Sequence, residues 1–169
     1  MTIRRAAVSV VAGCAAGIAL VAGGAGAAQA GAATEAAAAP GMLTLTRYYN
    51  GAKHWSTTGE EPGGAYESEL KVAILAEKEA GSVPLYACLA GHAPMDQFLS
   101  LNAGCEGVKN ASLGLQGYVY SSPAPGFTRP IYRCHWAKSQ SHFFSLKADC
   151  ESTGANPVKS DFKLGYVKG

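Results

Sequence analysis

The sequence predicts an all-β domain made of three similar units, for which a β-trefoil with pseudo-threefold symmetry is the preferred architecture. The main observation is internal repetition: residues 84–88 (PLYAC) match residues 130–134 (PIYRC), and the segments that follow each of them also match. Repeats of about 45 residues are supersecondary units that need neighbours to bury their apolar sides. Three units that close a small barrel leave no sheet edge exposed, and an irregular β-sandwich is the alternative.

Residues 1–30 have the order of parts of a secretory signal peptide. An arginine pair at 4–5 precedes an apolar run over 6–22, and a cleavage site of the A-x-A type follows at 28–30. We therefore expect a secreted, extracellular protein that has no membrane attachment once the signal is removed. The arginine pair leaves the export route open between the general and the twin-arginine systems. Because the apolar run continues past Cys14, this cysteine is expected to be removed with the signal rather than to carry a lipid.

A flexible arm is predicted over residues 31–43, where four consecutive alanines precede Pro40. The three-unit domain is expected to span residues 44–169. An arm of this kind can insert into a partner, so Pro40, Met42 and Leu43 are candidate contact residues.

Each unit is predicted to consist of short β-strands. Residues 97–101 (QFLSL) match 142–146 (HFFSL), and glycine-containing segments at 113–119 and 164–167 close the second and third units. Aromatic residues, alternation of apolar and polar side chains, and a proline ahead of the first strand are typical of β-structure. The first unit is a diverged copy without cysteines. Its strands are expected at 45–48 (LTRY), 54–57 (HWST) and 72–75 (VAIL).

Four cysteines remain after removal of the signal, and their spacing predicts two local disulfides. Cys88 and Cys105 are 17 positions apart, and Cys134 and Cys150 are 16 positions apart, in matching places of two units. An even number of cysteines in an exported chain favours disulfides. A metal site at Cys88 and His92 is the alternative, but the sequence has no C-x-x-C pair and we expect no metal.

The charge balance excludes two classes of partner. The sequence has 14 Lys and Arg against 12 Asp and Glu, and two of the arginines belong to the signal, so the remaining chain has 12 of each. A nucleic-acid-binding domain needs a basic face, and binding to an anionic membrane surface needs a basic cluster. Neither partner is expected for a neutral chain.

The sequence contains no motif that predicts catalysis. It has no Gly-x-Ser-x-Gly element, no His-Glu-x-x-His pair and no glycine-rich phosphate loop. The four remaining cysteines are assigned to disulfides, and no pair of carboxylates stands out as the acid and base of a glycosidase. We therefore expect a protein that is not an enzyme, with no catalytic residues and no cofactor.

Histidine and aromatic residues are the candidates for binding. His54 and His142 occupy matching places, and each precedes an aromatic residue, Trp55 or Phe143. Such pairs could line small pockets for sugar rings, although a residue repeated by symmetry can equally be structural. Further aromatic residues next to loops resemble a binding face. These are Tyr49, Phe127 and Trp136.

The motifs of the third unit resemble a repeat of unknown function found in secreted bacterial proteins. Tyr132-Arg133-Cys134 followed by His142-Phe143-Phe144-Ser145 is similar to its Tyr-Arg-x-Tyr-Asn and His-Phe-x-Ser/Thr elements, which precede a Gly-Tyr-x strand. The resemblance covers residues 43–167 and departs from the pattern at Gln97, which replaces the histidine, and at the added cysteines. Because this repeat is often attached to extracellular hydrolases, the resemblance implies a binding module.

A second resemblance concerns the whole chain. A small secreted protein with an N-terminal arm and no catalytic domain is similar to the small adaptor subunit of the umbrella toxin particles of Streptomyces. That adaptor joins a lectin-bearing subunit to the toxin scaffold by inserting its arm into a cleft. Two hypotheses follow for this chain. The first is an adaptor that joins other secreted proteins through its arm and one face of the domain. The alternative is a glycan or cell-wall binding module.

Overall fold

The computed structural model describes residues 41–91 and 95–169, which form one antiparallel β-sheet of nine strands with no helix among them. The predicted all-β class is therefore confirmed. The predicted signal peptide, Pro40 with the rest of residues 31–40, and His92 lie outside the described residues. The strands are β1 Met42–Tyr49, β2 His54–Thr57, β3 Glu67–Leu75, β4 Ser82–Leu89, β5 Gln97–Ser100, β6 Ala111–Tyr120, β7 Arg129–Trp136, β8 Ser141–Ser145 and β9 Lys159–Val167.

The strands repeat a pattern of one long, one short and one long strand. The first unit comprises β1 to β3, the second β4 to β6 and the third β7 to β9, and in each the first strand pairs antiparallel with both others. The register places matching residues opposite each other: Tyr48 faces Trp55, Cys88 faces Phe98, and Cys134 faces Phe143. The three units therefore share one strand pattern and one register.

The units contact one another through their third strands and their short strands. Leu75 of β3 pairs with Tyr118 of β6, Tyr120 of β6 pairs with Tyr166 of β9, and the Lys168 amide after β9 donates to the Ala73 carbonyl of β3 at 3.1 Å. The short strands β2, β5 and β8 also lie against one another. Each unit therefore contacts both of the others.

A β-bulge recurs at the same place in all three units. The register shifts after Arg47 in the first unit, after Ala87 in the second and after Arg133 in the third. A bulge leaves one residue without a cross-strand partner and changes the direction of its side chain. The unpaired residues are Glu69, Leu113 and Asp161.

The apolar core takes similar positions from every unit. Its largest fully buried side chain is Phe144 of β8, and leucine, isoleucine and valine supply most of the rest. The core residues are Leu45, Val72, Ile74, Leu85, Ala87, Leu99, Val119, Ile131, Phe144, Leu164 and Val167. Because the core draws on all three units, no unit can bury its apolar side alone.

Two disulfides hold the loops that follow β5 and β8. Cys88 bonds Cys105, and Cys134 bonds Cys150, each with a Cα–Cα distance of 5.7 Å. Both predicted pairings are confirmed. In the first unit the buried ring of Tyr48 takes the place of the first cysteine, so packing replaces the covalent bond there.

The first strand begins earlier than the sequence suggested. The sequence predicts Met42 and Leu43 to lie in a flexible arm, but they belong to β1 and pair with Leu75 and Ile74 of β3. This pairing with β3 extends the first strand to Met42. Among the described residues, no helix is long and apolar enough to cross a membrane.

Candidate functional site

Two related pockets lie where one unit meets the next. We name them after the arginine at the centre of each. The Arg133 pocket lies between the third and second units and has a volume of about 500 Å³, and the Arg47 pocket lies between the first and third units and has about 220 Å³. Arg47 and Arg133 occupy the same register position, directly before the bulge of their units.

Arg133 connects its own unit to the second unit. Its Nε donates to Asp161 Oδ2 at 2.8 Å, and its Nη1 donates to Glu106 Oε1 at 2.7 Å and to the Leu99 carbonyl at 3.2 Å. The guanidinium carbon also lies 5.3 Å from the centre of the Phe98 ring, within the range of a cation–π contact. The bulge is what directs Asp161 toward this arginine.

Arg47 repeats this arrangement between the first and third units. Its Nη1 donates to the Phe144 carbonyl at 2.9 Å, and its two Nη atoms lie 3.0 and 3.2 Å from the two carboxylate oxygens of Glu151. Its Nε lies 2.9 Å from Glu69 Oε2, an ionic contact without the alignment of a hydrogen bond. The guanidinium lies over Phe143, 5.0 Å from the ring centre. The two arginines therefore make equivalent contacts.

The two glutamates are positioned by the disulfide loops. Glu106 and Glu151 each follow the second cysteine of a bridge, and all four residues have positive φ between 54° and 61°. This left-handed pair turns the chain so that each carboxylate reaches the arginine of the neighbouring unit. Burial raises the pKa of Glu106, but hydrogen bonds from Arg133 and Ser100 outweigh burial and its pKa falls below the usual value.

The histidines of the two pockets have opposite charge preferences. Burial of the His54 ring lowers its pKa from 6.5 to about 4, and the Arg47 charge acts in the same direction. Its Nδ1 lies 3.1 Å from the Ser141 hydroxyl, a partner without charge, and its Nε2 lies 3.5 Å from Glu69, too far for a close ion pair to offset burial. His54 is therefore neutral at pH 7.

His142 has an aspartate where His54 has Ser141. Its Nδ1 hydrogen-bonds Asp96, and its Nε2 lies 3.3 Å from Asp161. Burial lowers the pKa of His142, but the hydrogen bonds to Asp161 and Asp96 outweigh burial and the pKa is raised. Because both ring nitrogens face carboxylates, the protonated form of this histidine is favoured.

The difference in volume has a simple cause in the sequence. Trp136, the residue after His135 at the end of β7, lines the Arg47 pocket. The second unit has Ala90 at the matching place, and this alanine lines the Arg133 pocket. Tyr49 also contributes to the smaller pocket, where its ring stacks on His54 at 4.6 Å. The Arg47 pocket is thus filled by aromatic rings, whereas the Arg133 pocket is open.

Several polar groups of the Arg133 pocket remain unpaired within residues 41–91 and 95–169. Arg133 Nη2 and Glu106 Oε2 make no hydrogen bond there, and neither do the ring nitrogens of His135 or the side-chain amide of Gln140. In the Arg47 pocket, by contrast, both Nη atoms of Arg47 are engaged by Glu151.

The contact between the second and first units lacks this charged arrangement. Ala87 stands where the other units have arginine, and the bulge residue is Leu113. Two glutamine side chains form hydrogen bonds to the first unit instead. Gln97 accepts from the Ser56 amide at 2.9 Å and donates to the Ser56 carbonyl at 2.8 Å. Gln116 accepts from the Thr58 amide at 2.8 Å. Gln97, which takes the place of the histidine, therefore has a structural role.

This replacement leaves apolar side chains at the surface. Leu113 is 44% exposed and Leu115 is 47% exposed, two residues apart on β6. The register gives their counterparts as Glu69 and Lys71 in the first unit and as Asp161 and Lys163 in the third. The second unit therefore shows solvent two leucines where the others have an acid and a lysine.

The residues singled out in the sequence fall into different places. Tyr49, His54, Trp136 and Phe143 line the Arg47 pocket, and His142 lines the Arg133 pocket. Trp55 faces Tyr48 in the first hairpin and lines neither pocket. Phe127 is also outside both pockets, because its ring is buried against Tyr120 at 4.9 Å.

Sequence reasoning missed the charged residues at the centre of the pockets. These are Arg47, Glu69, Asp96, Glu106, Arg133, Glu151 and Asp161. The sequence carries an available signal: Arg47 in LTRY (45–48) recurs as Arg133 in PIYRC (130–134), and Glu106 and Glu151 each follow a cysteine of a matching pair. Within the described part of the chain, no cluster of His, Cys, Asp or Glu has the arrangement to hold a metal ion.

Comparisons with protein-family models, with curated proteins and with solved structures return no match to this chain.

Proposed function

We propose that this protein is an exported, non-catalytic adaptor that joins other extracellular proteins through its N-terminal arm and one face of the β-domain. Its resemblance to the small adaptor of umbrella toxin particles and its two disulfides support this proposal. We further propose that the three units are arranged around a pseudo-threefold axis, as in a trefoil. The mutual contacts of β3, β6 and β9, and of β2, β5 and β8, favour that arrangement.

The single observation that carries the adaptor proposal is the pair Leu113 and Leu115. Both are nearly half exposed, and their counterparts in the other two units are charged residues. Protein interfaces have apolar centres, so we expect a partner to contact the one of the three corresponding faces that carries an apolar pair. The face lies beside the contact between the second and first units, where Ala87 has replaced arginine.

The experiment gives the second unit the charges of the third. The tagged mature protein is recovered from the producer's culture medium, and the co-purifying proteins are identified by mass spectrometry. Leu113→Asp with Leu115→Lys should remove a stoichiometric partner, whereas Val108→Lys, at a fully exposed loop position, should retain it. Retention of every partner by the double variant would contradict the assignment of this face.

The arm is tested separately. A deletion should stop at Pro40, because Met42 pairs with Leu75 and belongs to the sheet. If the arm inserts into a partner, removal of residues 31–40 should abolish one interaction and leave the melting temperature unchanged. An unchanged set of partners would remove the arm from the proposal.

Glycan binding is the second candidate, and the open Arg133 pocket is the observation that favours it. Histidine and aromatic side chains line this cavity together with an arginine and carboxylates, and its volume of about 500 Å³ lies within the range of small-molecule sites. Screening the mature protein against immobilised oligosaccharides tests this candidate. It is independent of the adaptor proposal, since the Leu113 face and the Arg133 pocket involve different contacts between units.

A further inference from the structure

The two arginine pockets lie at the same register position of their units, but they differ in the volume of open space. The Arg47 pocket has about 220 Å³, and Trp136 and Tyr49 occupy it. The Arg133 pocket has about 500 Å³, because Ala90 stands in place of the tryptophan. Small-molecule sites have volumes of about 300 to 1,000 Å³, so only the larger pocket reaches this range.

The polar groups that face the larger cavity form a donor and acceptor pair. Glu106 Oε1 accepts from Arg133 Nη1 at 2.7 Å, so Glu106 Oε2 and Arg133 Nη2 flank the same ion pair without a partner of their own in the described residues. The Arg133 side chain is only 11% exposed, so its remaining donor is presented from a largely buried group. A hydroxyl group can accept from the guanidinium and donate to the carboxylate.

A flat ring lies beside this pair. His135 stacks on His142 with ring centres 4.5 Å apart, and its own nitrogens make no hydrogen bond in the described residues. Burial, followed by the charge of His142, lowers the pKa of His135, so the ring is uncharged at pH 7 and can contact the C–H face of a sugar.

The charges of the pocket select against acidic ligands. Asp96 and Glu106 line the pocket, Asp161 lies beside it, and Arg133 and His142 are paired with these three carboxylates; Lys159 also acts on His135 from the neighbouring strand. Because Arg133 and His142 already face carboxylates, a further anion would meet more negative than positive charge at this pair.

We infer that the Arg133 pocket, and not the Arg47 pocket, binds one saccharide ring that is neutral or carries an amine. The inference rests on the glycan candidate stated above and specifies the site and the class of sugar. Adjacent hydroxyl groups would bond Arg133 Nη2 and Glu106 Oε2, while the ring lies against His135. Trp136 closes the equivalent space between the first and third units, so each chain has one site.

The test uses titration calorimetry of the mature protein with tetramers of glucose, N-acetylglucosamine, glucosamine and galacturonic acid. We expect one site per chain for at least one of the first three probes and binding of galacturonate that is at least roughly tenfold weaker. Ala90→Trp, which copies the third unit, should weaken binding at least roughly tenfold by filling the cavity. Ala80→Trp, ahead of β4 on an exposed turn, is the control and should not change affinity.

The variant is compatible with the fold, since Trp136 packs against the matching disulfide cluster of the third unit. Intact disulfides and an unchanged melting temperature confirm this for Ala90→Trp. If none of the four probes binds the wild-type protein, the inference and the glycan candidate both fail. If a probe binds but Ala90→Trp retains full affinity, or if two sites per chain are found, the glycan candidate stands and the assignment to the Arg133 pocket is wrong.

Discussion

Arg133 of the third unit lies 2.7 Å from Glu106 of the second unit, and the same contact recurs between Arg47 of the first unit and Glu151 of the third. Two of the three contacts between units are therefore joined by an arginine that also bonds a carbonyl of the neighbouring unit. The third contact uses glutamine side chains and leaves two leucines exposed. Because the three contacts between units differ in this way, the protein has one open pocket, one pocket filled by aromatic rings and one apolar face.

Replacing Arg47 by alanine should destabilise the protein strongly. The side chain is 8% exposed and opposes both Glu69 and Glu151, so its removal leaves two carboxylates without a counter-charge. We expect the free energy of unfolding to fall by roughly 2 to 4 kcal/mol. This is somewhat less than the roughly 3 to 5 kcal/mol for breaking a fully buried pair, because Glu151 is partly exposed. Urea unfolding measures this loss. Arg129→Ala, at an exposed position, should change stability by less than about 0.5 kcal/mol, and an equal effect of both changes would contradict the role of Arg47.

His54 should make the protein less stable in acid. Its folded pKa is about 4 against 6.5 when unfolded, mainly because the ring is buried. The unfolded state therefore binds the proton first, and stability is lost as the pH falls from about 6.5 toward 4. The expected loss is about 3 kcal/mol. Urea unfolding at a series of pH values should show this slope in the wild type and a flatter one in His54→Gln, the residue that the second unit carries.

His142 should respond in the opposite direction. Its folded pKa is raised by Asp161 and Asp96 in spite of burial, so its contribution to stability is full below pH 6.5 and is lost as the pH rises through the folded pKa. His142→Gln should therefore cost more stability at pH 6 than at pH 9. An equal cost at both values would show that the ring is not held as a cation.

The strands and disulfides could be predicted because they are local and repeated. Cys88 and Cys105 lie in the same unit, and a hairpin such as β7 with β8 is set by alternating residues next to each other in the chain. The repeat then transfers each assignment to the other units. The cysteine-free first unit shows the strength of this inference, because its strand register matches the others.

The pockets could not be predicted in the same way, because each forms between two units. Glu106 is 27 residues from Arg133, and Glu151 is 104 residues from Arg47, and nothing local indicates which unit neighbours which. The difference between Ala90 and Trp136 likewise has meaning only when the pockets are compared in space. Proximity to a loop predicts that Phe127 is available for binding, but it does not indicate that Tyr120 covers the ring.

The disulfide of the second unit should matter to the Arg133 pocket as well as to stability. Closing a loop of this length contributes about 3 kcal/mol through the unfolded chain. Cys105 also positions Glu106, the next residue. The double variant Cys88→Ser with Cys105→Ser should therefore lose this stability and, in addition, have a weaker contact between Glu106 and Arg133. Urea unfolding of this variant, alone and combined with Arg133→Ala, measures both effects. Strictly additive losses would contradict the coupling, since they would mean that the loop holds Glu106 without the bridge.

Gly117 should tolerate no side chain, because the first unit passes directly over it. A Cβ at this position would lie 2.5 Å from the Leu75 carbonyl oxygen and 2.9 Å from the Ile74 side chain, and its φ of +139° also disfavours other residues. Gly117→Ala must therefore push β6 away from β3 at the pair formed by Leu75 and Tyr118. We expect a loss of roughly 2 kcal/mol or more by urea unfolding, as for a residue in a strained backbone region with a steric clash. Gly63→Ala is the control, because nothing lies within 4 Å of its added methyl group, and a comparable loss there would mean that the close approach of the two units is not the cause.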